Sequence, residues 1–201
     1  MEAVLDICAG IALAAACGFR VFLPLLALSI GAATGALHPG ASMTWVGSPP
    51  ALIVLGVASA LEIAAYYIPV VDHFLDTIAS PAAVVAGTIA AGALLPGDVQ
   101  LHPAIKWAAA LIAGGGAAGV VQAGTVSARA VSGATTATAG NPVIATIENV
   151  FSIVLSILAI VVPIVAALIV IVAFVWVGRM IARWRRRRAG ATLGASADPS
   201  V

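Results

Sequence analysis

Arg20 lies near the middle of an apolar run from Leu5 to Leu28 in which Asp6 is the only other charge. A guanidinium does not shed its proton, so inside a membrane it must meet water, a carboxylate or backbone carbonyls. Other segments offer polar groups at helical spacing. Ser59, Glu62 and Tyr66 fall at i, i+3 and i+7, and Gln122, Thr125 and Arg129 repeat that stripe. Glu148, Ser152 and Ser156 also share one helix face. With Arg20 these groups could converge on a polar interior in which two bases balance two acids, with Glu62 as the candidate partner of Arg20. A carboxylate there could exchange a proton or bind a cation, and an arginine could hold an anionic group. The plainer alternative is an ion pair that registers helices and moves nothing, with Arg129 and Glu148 snorkelling near one interface.

Asp72, His73 and Asp76 form a further patch, the two carboxylates one helical turn apart. They could bind a cation or Mg²⁺-diphosphate, as half of the paired acidic motif of membrane prenyltransferases does. No second acidic motif occurs, and capping of a half-helix explains the pair more cheaply. The three histidines lack metal-ligand spacing, and there is no nucleophile elbow or phosphate-binding loop. The sequence therefore assigns no catalytic residue, metal ligand or cofactor. Arg183, Arg185, Arg186, Arg187 and Arg188, with Arg179, supply six of the nine basic groups. They mark a cytoplasmic C-terminal end and could bind anionic lipid headgroups, each worth about 1 kcal/mol near the surface. So short a basic segment is a poor nucleic-acid binder.

These residues must be positioned by membrane helices. Of 201 residues 62% are hydrophobic and 8% charged, with mean hydropathy +1.15, whereas a soluble domain carries about 25% charged residues. The apolar stretches lack strict alternation, which predicts helices and argues against a β-barrel. The expected architecture is an all-α polytopic membrane protein with five to six transmembrane helices, one integral domain over 1–188 and a disordered tail over 189–201. The first span is expected from about Leu5 to Leu28, retained in the membrane and kinked at Pro24, with a small-residue seam of Gly10, Ala14 and Gly18. Cys8 and Cys17 on that span are too far apart in rise for a disulfide. A Pro- and Gly-rich loop over 38–50 leads to a second helix over 51–68. A third element starts at Pro69 and is expected to break at Ser80-Pro81, because 82–95 is too short to span alone. The next helix, 104–131, carries Gly114, Gly115, Gly116 and Gly119, a close packing surface, a weak point or the seam of a homo-oligomer. The stretch 143–182 is expected to split into an interfacial or re-entrant section to about 151 and a final span over 152–177, kinked at Pro163.

Several strings carry a likeness. Gly18-Phe19-Arg20-Val21-Phe22-Leu23-Pro24-Leu25, the run from Ile68 to Pro81 with its Asp-His-x-x-Asp core, Arg129, and Gly140-Asn141-Pro142 followed by Glu148 resemble the bacterial membrane family called domain of unknown function 4126, over roughly residues 5–175. The resemblance implies an uncharacterised integral membrane protein and supplies no substrate. From the residues, the expected function is a small transporter or channel-like protein of the bacterial inner membrane with an intramembrane Arg/Glu site. A membrane scaffold or accessory subunit is the alternative, and a lipid-processing enzyme using Asp72, His73 and Asp76 a weaker one.

Overall fold

The computed structural model describes residues 1–96, 102–136 and 139–195, with the side chains at 69, 70, 72, 73 and 184–195 outside the described set. The described chain is 87% helical and contains no strand. The helices are α1 (Glu2–Cys17), α2 (Phe22–Thr34), α3 (Pro49–Ala65), α4 (Pro69–Ala93), α5 (Pro103–Ala110), α6 (Gly116–Thr136), α7 (Asn141–Val161) and α8 (Pro163–Ala195), with a 3₁₀ turn over Ala41–Gly47 and a π-helical turn over Leu111–Gly115 joining α5 to α6. Contacts divide the chain into Met1–Ala167, which holds the charged cluster described below, and Leu168–Val201, which holds α8 from Leu168 onward. The tail expected over 189–201 falls partly on α8, and residues 196–201 lie outside the described residues.

The expected first span does not cross. Helix α1 stops at Cys17, four residues intervene, and α2 starts at Phe22. The backbone N–H of His38 then donates to Asp6 Oδ1 at 3.4 Å. Two collinear helices of 16 and 13 residues would carry residue 34 about 40 Å from Asp6, too far for four residues to return. The pair is therefore a hairpin: α1 runs inward and α2 runs back, with residues 18–21 at the apex. Pro24 does not kink it. At the third position of α2, Pro24 lies in the first turn, where a missing N–H costs nothing. Gly35, in the left-handed region at φ +74°, ends α2 and lets the chain turn towards Asp6.

Helix α3 runs beside α2 in the opposite sense, since Gly47 packs on Ala32 and Ala33 while Glu62 reaches the N-terminus of α2. Ser48 caps α3, its Oγ accepting from the N–H of Ala51. Helix α4 returns, its Ala93 carbonyl accepting from Gly40 N–H at 2.8 Å. It is one helix of 25 residues, not a helix broken at Ser80-Pro81. Proline removes a single donor, the N–H that would have met the Thr77 carbonyl, and the neighbouring Ser80 hydroxyl donates to the Asp76 carbonyl at 2.9 Å. A lone vacancy of this kind is tolerated in a membrane helix where Ser or Thr side chains, neighbouring helices or water answer the freed backbone group.

The glycines of the next helix act as both a packing surface and a weak point. A Cβ on Gly87 would come within 2.7 Å of the Gly114 carbonyl, and one on Gly115 within 2.6 Å of Thr88 Oγ1, so α4 covers this face within the chain. The expected homo-oligomer seam is thus already occupied at Gly114 and Gly115. The π turn lies at the same place, where the absence of side chains lets the backbone widen. The seam along α1 and its cap is used as read: Gly10 faces Ala91 of α4 and Leu94 just after it, and Gly18 faces Ala118 and Val121 of α6.

The stretch 143–182 splits, but not near residue 151. Helix α7 passes through residues 142–152 without a break and ends at Val161; the next residue, Val162, leaves the helical region at φ −139° and ψ 68° because Pro163 follows. Among the described residues, four helices are long and apolar enough to cross a membrane: Phe74–Ala93, Pro103–Thr136, Asn141–Val161 and Pro163–Arg183. The turn Ala41–Gly47 with α3, bent by 62°, adds a fifth if that pair is one span, so the count is four or five against the five to six expected.

Candidate functional site

The hairpin apex carries Arg20 into the protein, where it is 1% exposed. Its partner is not Glu62. Nη1 lies 3.1 Å from Glu148 Oε2, Nε donates to Asn149 Oδ1 at 2.5 Å, and Nη2 donates to the Ala145 carbonyl at 3.0 Å. These three acceptors come from successive turns of one face of α7, and Nη1 also donates to the Phe19 carbonyl at 3.3 Å. The apex keeps only the backbone bonds that close α1, from the N–H groups of Gly18, Phe19 and Arg20 to the Ala15 and Ala16 carbonyls, and a charged side chain aimed at a neighbouring helix fixes its position.

Glu62 has a different task. Its Oε1 accepts from the N–H of Val21 at 2.6 Å and its Oε2 from the N–H of Phe22 at 3.0 Å. Those N–H groups begin α2 and lack partners within it, so a carboxylate satisfies two orphan donors and meets the positive end of the helix dipole. An acid on α3 thereby closes the apex that Arg20 opens.

Arg129 of α6 completes the charge cluster. Its Nη2 donates to Glu148 Oε2, the atom that also faces Arg20, and its Nη1 donates to Asp76 Oδ1 of α4 at 2.7 Å. The guanidinium carbons of Arg20 and Arg129 lie over the Tyr66 ring, 3.9 Å and 4.2 Å from its centroid. A phenol face is a weak acceptor of cations, and here one ring serves two. Beside it, Tyr67 shares a 3.0 Å hydrogen bond with Thr146, and Asn149 Nδ2 donates to the Tyr67 hydroxyl at 3.4 Å.

Of the sequence candidates, Arg20, Glu62, Tyr66, Asp76, Arg129 and Glu148 thus meet in one place. Gln122 is buried on α6 nearly two turns earlier, and no described hydrogen bond joins its side chain to the cluster. Asp72 and His73 are on α4, but their side chains lie outside the described residues, as do those of Arg185, Arg186, Arg187 and Arg188; Arg183 is exposed. Among the described residues no group of three potential ligands could hold a metal ion. Sequence reasoning missed Asn149 and Asn141. The signal for Asn149 was its place beside Glu148 on the face that also carries Ala145, Ser152 and Ser156.

Among the described residues, two clefts reach the cluster. A cleft of about 440 Å³ is lined by Asp76, Thr77, Ser80, Val126, Arg129 and Asn141, joining α4, α6 and the start of α7. A more apolar cleft of about 340 Å³ reaches Glu62 and Tyr66 past Phe22, Leu61 and Ile78. Charged groups line the first, and the second is almost wholly hydrocarbon.

Residues 7–183 match one family model, described as a domain of unknown function (DUF4126). No curated protein and no solved structure matches the chain.

Proposed function

The chain belongs to the DUF4126 family, and from that and the geometry we propose that this integral membrane protein is a small transporter or channel-like protein whose solute site is the Asp76–Arg129 cleft. One observation carries the reading: Arg129 lines a cleft of about 440 Å³ and through Glu148 touches the buried Arg20 at a re-entrant apex. Non-helical backbone at membrane depth is tolerated where it is buried in protein or lines a cavity, and intramembrane charges concentrate along solute pathways. Within this proposal the protein resides in the cytoplasmic membrane with its Arg-rich end in the cytoplasm.

The test is flux into proteoliposomes over a panel of protons, inorganic cations and small anions. Thr77→Trp fills the cleft without removing a charged partner. Loss of flux in this variant, with folding retained, supports the reading; unchanged flux places the solute elsewhere. One fact favours a second reading, a non-transporting scaffold: every nitrogen of the Arg20 guanidinium has a protein partner. Wild-type protein that is folded and passes none of the panel supports the scaffold.

A further inference from the structure

Helix α7 carries a polar stripe beyond the ion pairs. Glu148, Ser152 and Ser156 follow one another at four-residue intervals, so the stripe rises about 12 Å along the helix. All three are at least nine-tenths buried. Their hydrogen bonding is incomplete. Glu148 Oε2 is shared by two arginines, but Oε1 has no described partner, and neither has the Ser156 hydroxyl.

The Ser156 side chain departs from the habit of this chain. Ser59, Ser80, Thr88 and Ser127 each turn their hydroxyl back to the carbonyl four residues earlier. Ser152 instead donates to the Ala16 carbonyl on α1 at 3.5 Å, and Ser156 makes neither kind of bond. The Ser152 hydroxyl thus reaches across the seam to α1, and Ser156 lies one turn further along the same buried face. A buried donor or acceptor left without a partner costs about 1–3 kcal/mol, and buried waters are the usual remedy.

We propose that a file of internal water follows the α1–α7 seam from Ser156 past Ser152 to Glu148 Oε1 and delivers protons to that oxygen. The proton is then the coupled or conducted ion of the site, a refinement that rests on the transport reading above. Glu148 accepts the proton on Oε1 and releases it again to water; no bond other than O–H forms or breaks. The charged and titratable groups facing it are Arg20 from the hairpin, Arg129 from α6, Asp76 from α4, and Tyr66 and Glu62 from α3 and its end. Protonation removes the charge that both arginines share, so it loosens Arg129, which also lines the cleft.

The experiment has two arms in full-length protein with Cys8→Ser and Cys17→Ala. In the first, Ser156→Cys is challenged in sealed proteoliposomes with a small, charged, membrane-impermeant thiol reagent, beside Ile157→Cys on the exposed lipid-facing side. Faster labelling at 156 than at 157 is expected; equal labelling, or none at 156, overturns the water file. In the second, proton entry under an imposed potential is followed with an internal pH dye. Wild type should exceed protein-free liposomes, Ser156→Ala should be slower, and Glu148→Gln should fall to the protein-free level. Proton entry unchanged in both variants overturns the proposal, and so does wild type no faster than protein-free liposomes. Ser156→Ala keeps the test decisive should Glu148→Gln not fold. A wet, proton-conducting seam in a protein that moves no other solute through its cleft removes only the cleft assignment, whereas solute flux with a dry seam removes only the proton route.

Discussion

Arg20 and Glu148 face each other across 3.1 Å, from the apex of one helical hairpin to the second turn of another helix, and the same carboxylate oxygen also holds Arg129. Glu148 is therefore the common anion of two buried cations. Removing it leaves Arg20 without a carboxylate and Arg129 with Asp76 alone, whereas removing Asp76 leaves both arginines their shared anion. We expect Glu148→Leu to destabilise the protein by about 3–5 kcal/mol and Asp76→Leu by distinctly less. Thermal unfolding in detergent, compared between the two variants, checks the ranking, and equal losses would contradict a shared anion.

Glu62 supplies an acceptor for each of two backbone donors, and the substitution series follows from that count. Glu62→Gln keeps one acceptor and loses the charge at the helix N-terminus; Glu62→Ala loses everything. Relative to wild type the alanine variant should cost about 1–2 kcal/mol or more, with glutamine intermediate. Hydrogen exchange at Val21 and Phe22 gives a local readout: both amides should exchange faster in Glu62→Ala, and unchanged protection there would assign the carboxylate another role.

The hairpin predicts a sidedness that a spanning first helix does not. Cysteines placed one at a time at Glu2 and His38, with Cys8 and Cys17 replaced, should react with an impermeant reagent from the same face of the membrane. A spanning first helix puts them on opposite faces. Labelling in right-side-out and inverted vesicles separates the two.

Glycine substitutions test how closely the apex approaches α6. A Cβ on Gly18 would lie 2.5 Å from both the Ala118 carbonyl oxygen and Val121 Cβ, whereas one on Gly56 meets nothing within 4 Å. Gly18→Ala should cost about 1–3 kcal/mol by overpacking. Gly56→Ala, in the interior of α3, should be neutral or gain up to about 1 kcal/mol from helix propensity. Chemical denaturation of the pair is sufficient, and a tolerated Gly18→Ala would mean that the apex is not seated against α6.

Much of this arrangement was legible in the residues. Stripes at helical spacing placed Glu62, Tyr66, Arg129 and Glu148 on buried faces, and an arginine in an apolar run demanded a partner. The pairing was not legible, because it depends on the direction of the chain after Cys17. Read as one span, residues 5–28 put Arg20 beside whichever acid lies at similar depth, and Glu62 is such an acid. Once Gly18–Val21 is an apex, the free N–H groups of Val21 and Phe22 claim Glu62, and Arg20 turns to α7. Two prolines misled for a related reason. Pro24 stands in the first turn of α2, which it helps to begin, and Pro81 is interior, where α4 absorbs it; Pro69 opens α4 as expected, and Pro163 opens α8 where a kink was expected.

That interior proline leaves something behind. With no N–H at residue 81, the carbonyl of Thr77 has no donor four residues on, and Thr77 lines the cleft with Asp76 and Arg129. A residue of the cleft lining thus carries a main-chain acceptor that no side-chain exchange at Thr77 can delete. Restoring an amide with Pro81→Ala would supply that carbonyl with a donor while leaving every charge in place, so a residue outside the cleft lining, forty-eight positions from Arg129, bears on the polarity of Thr77 within it.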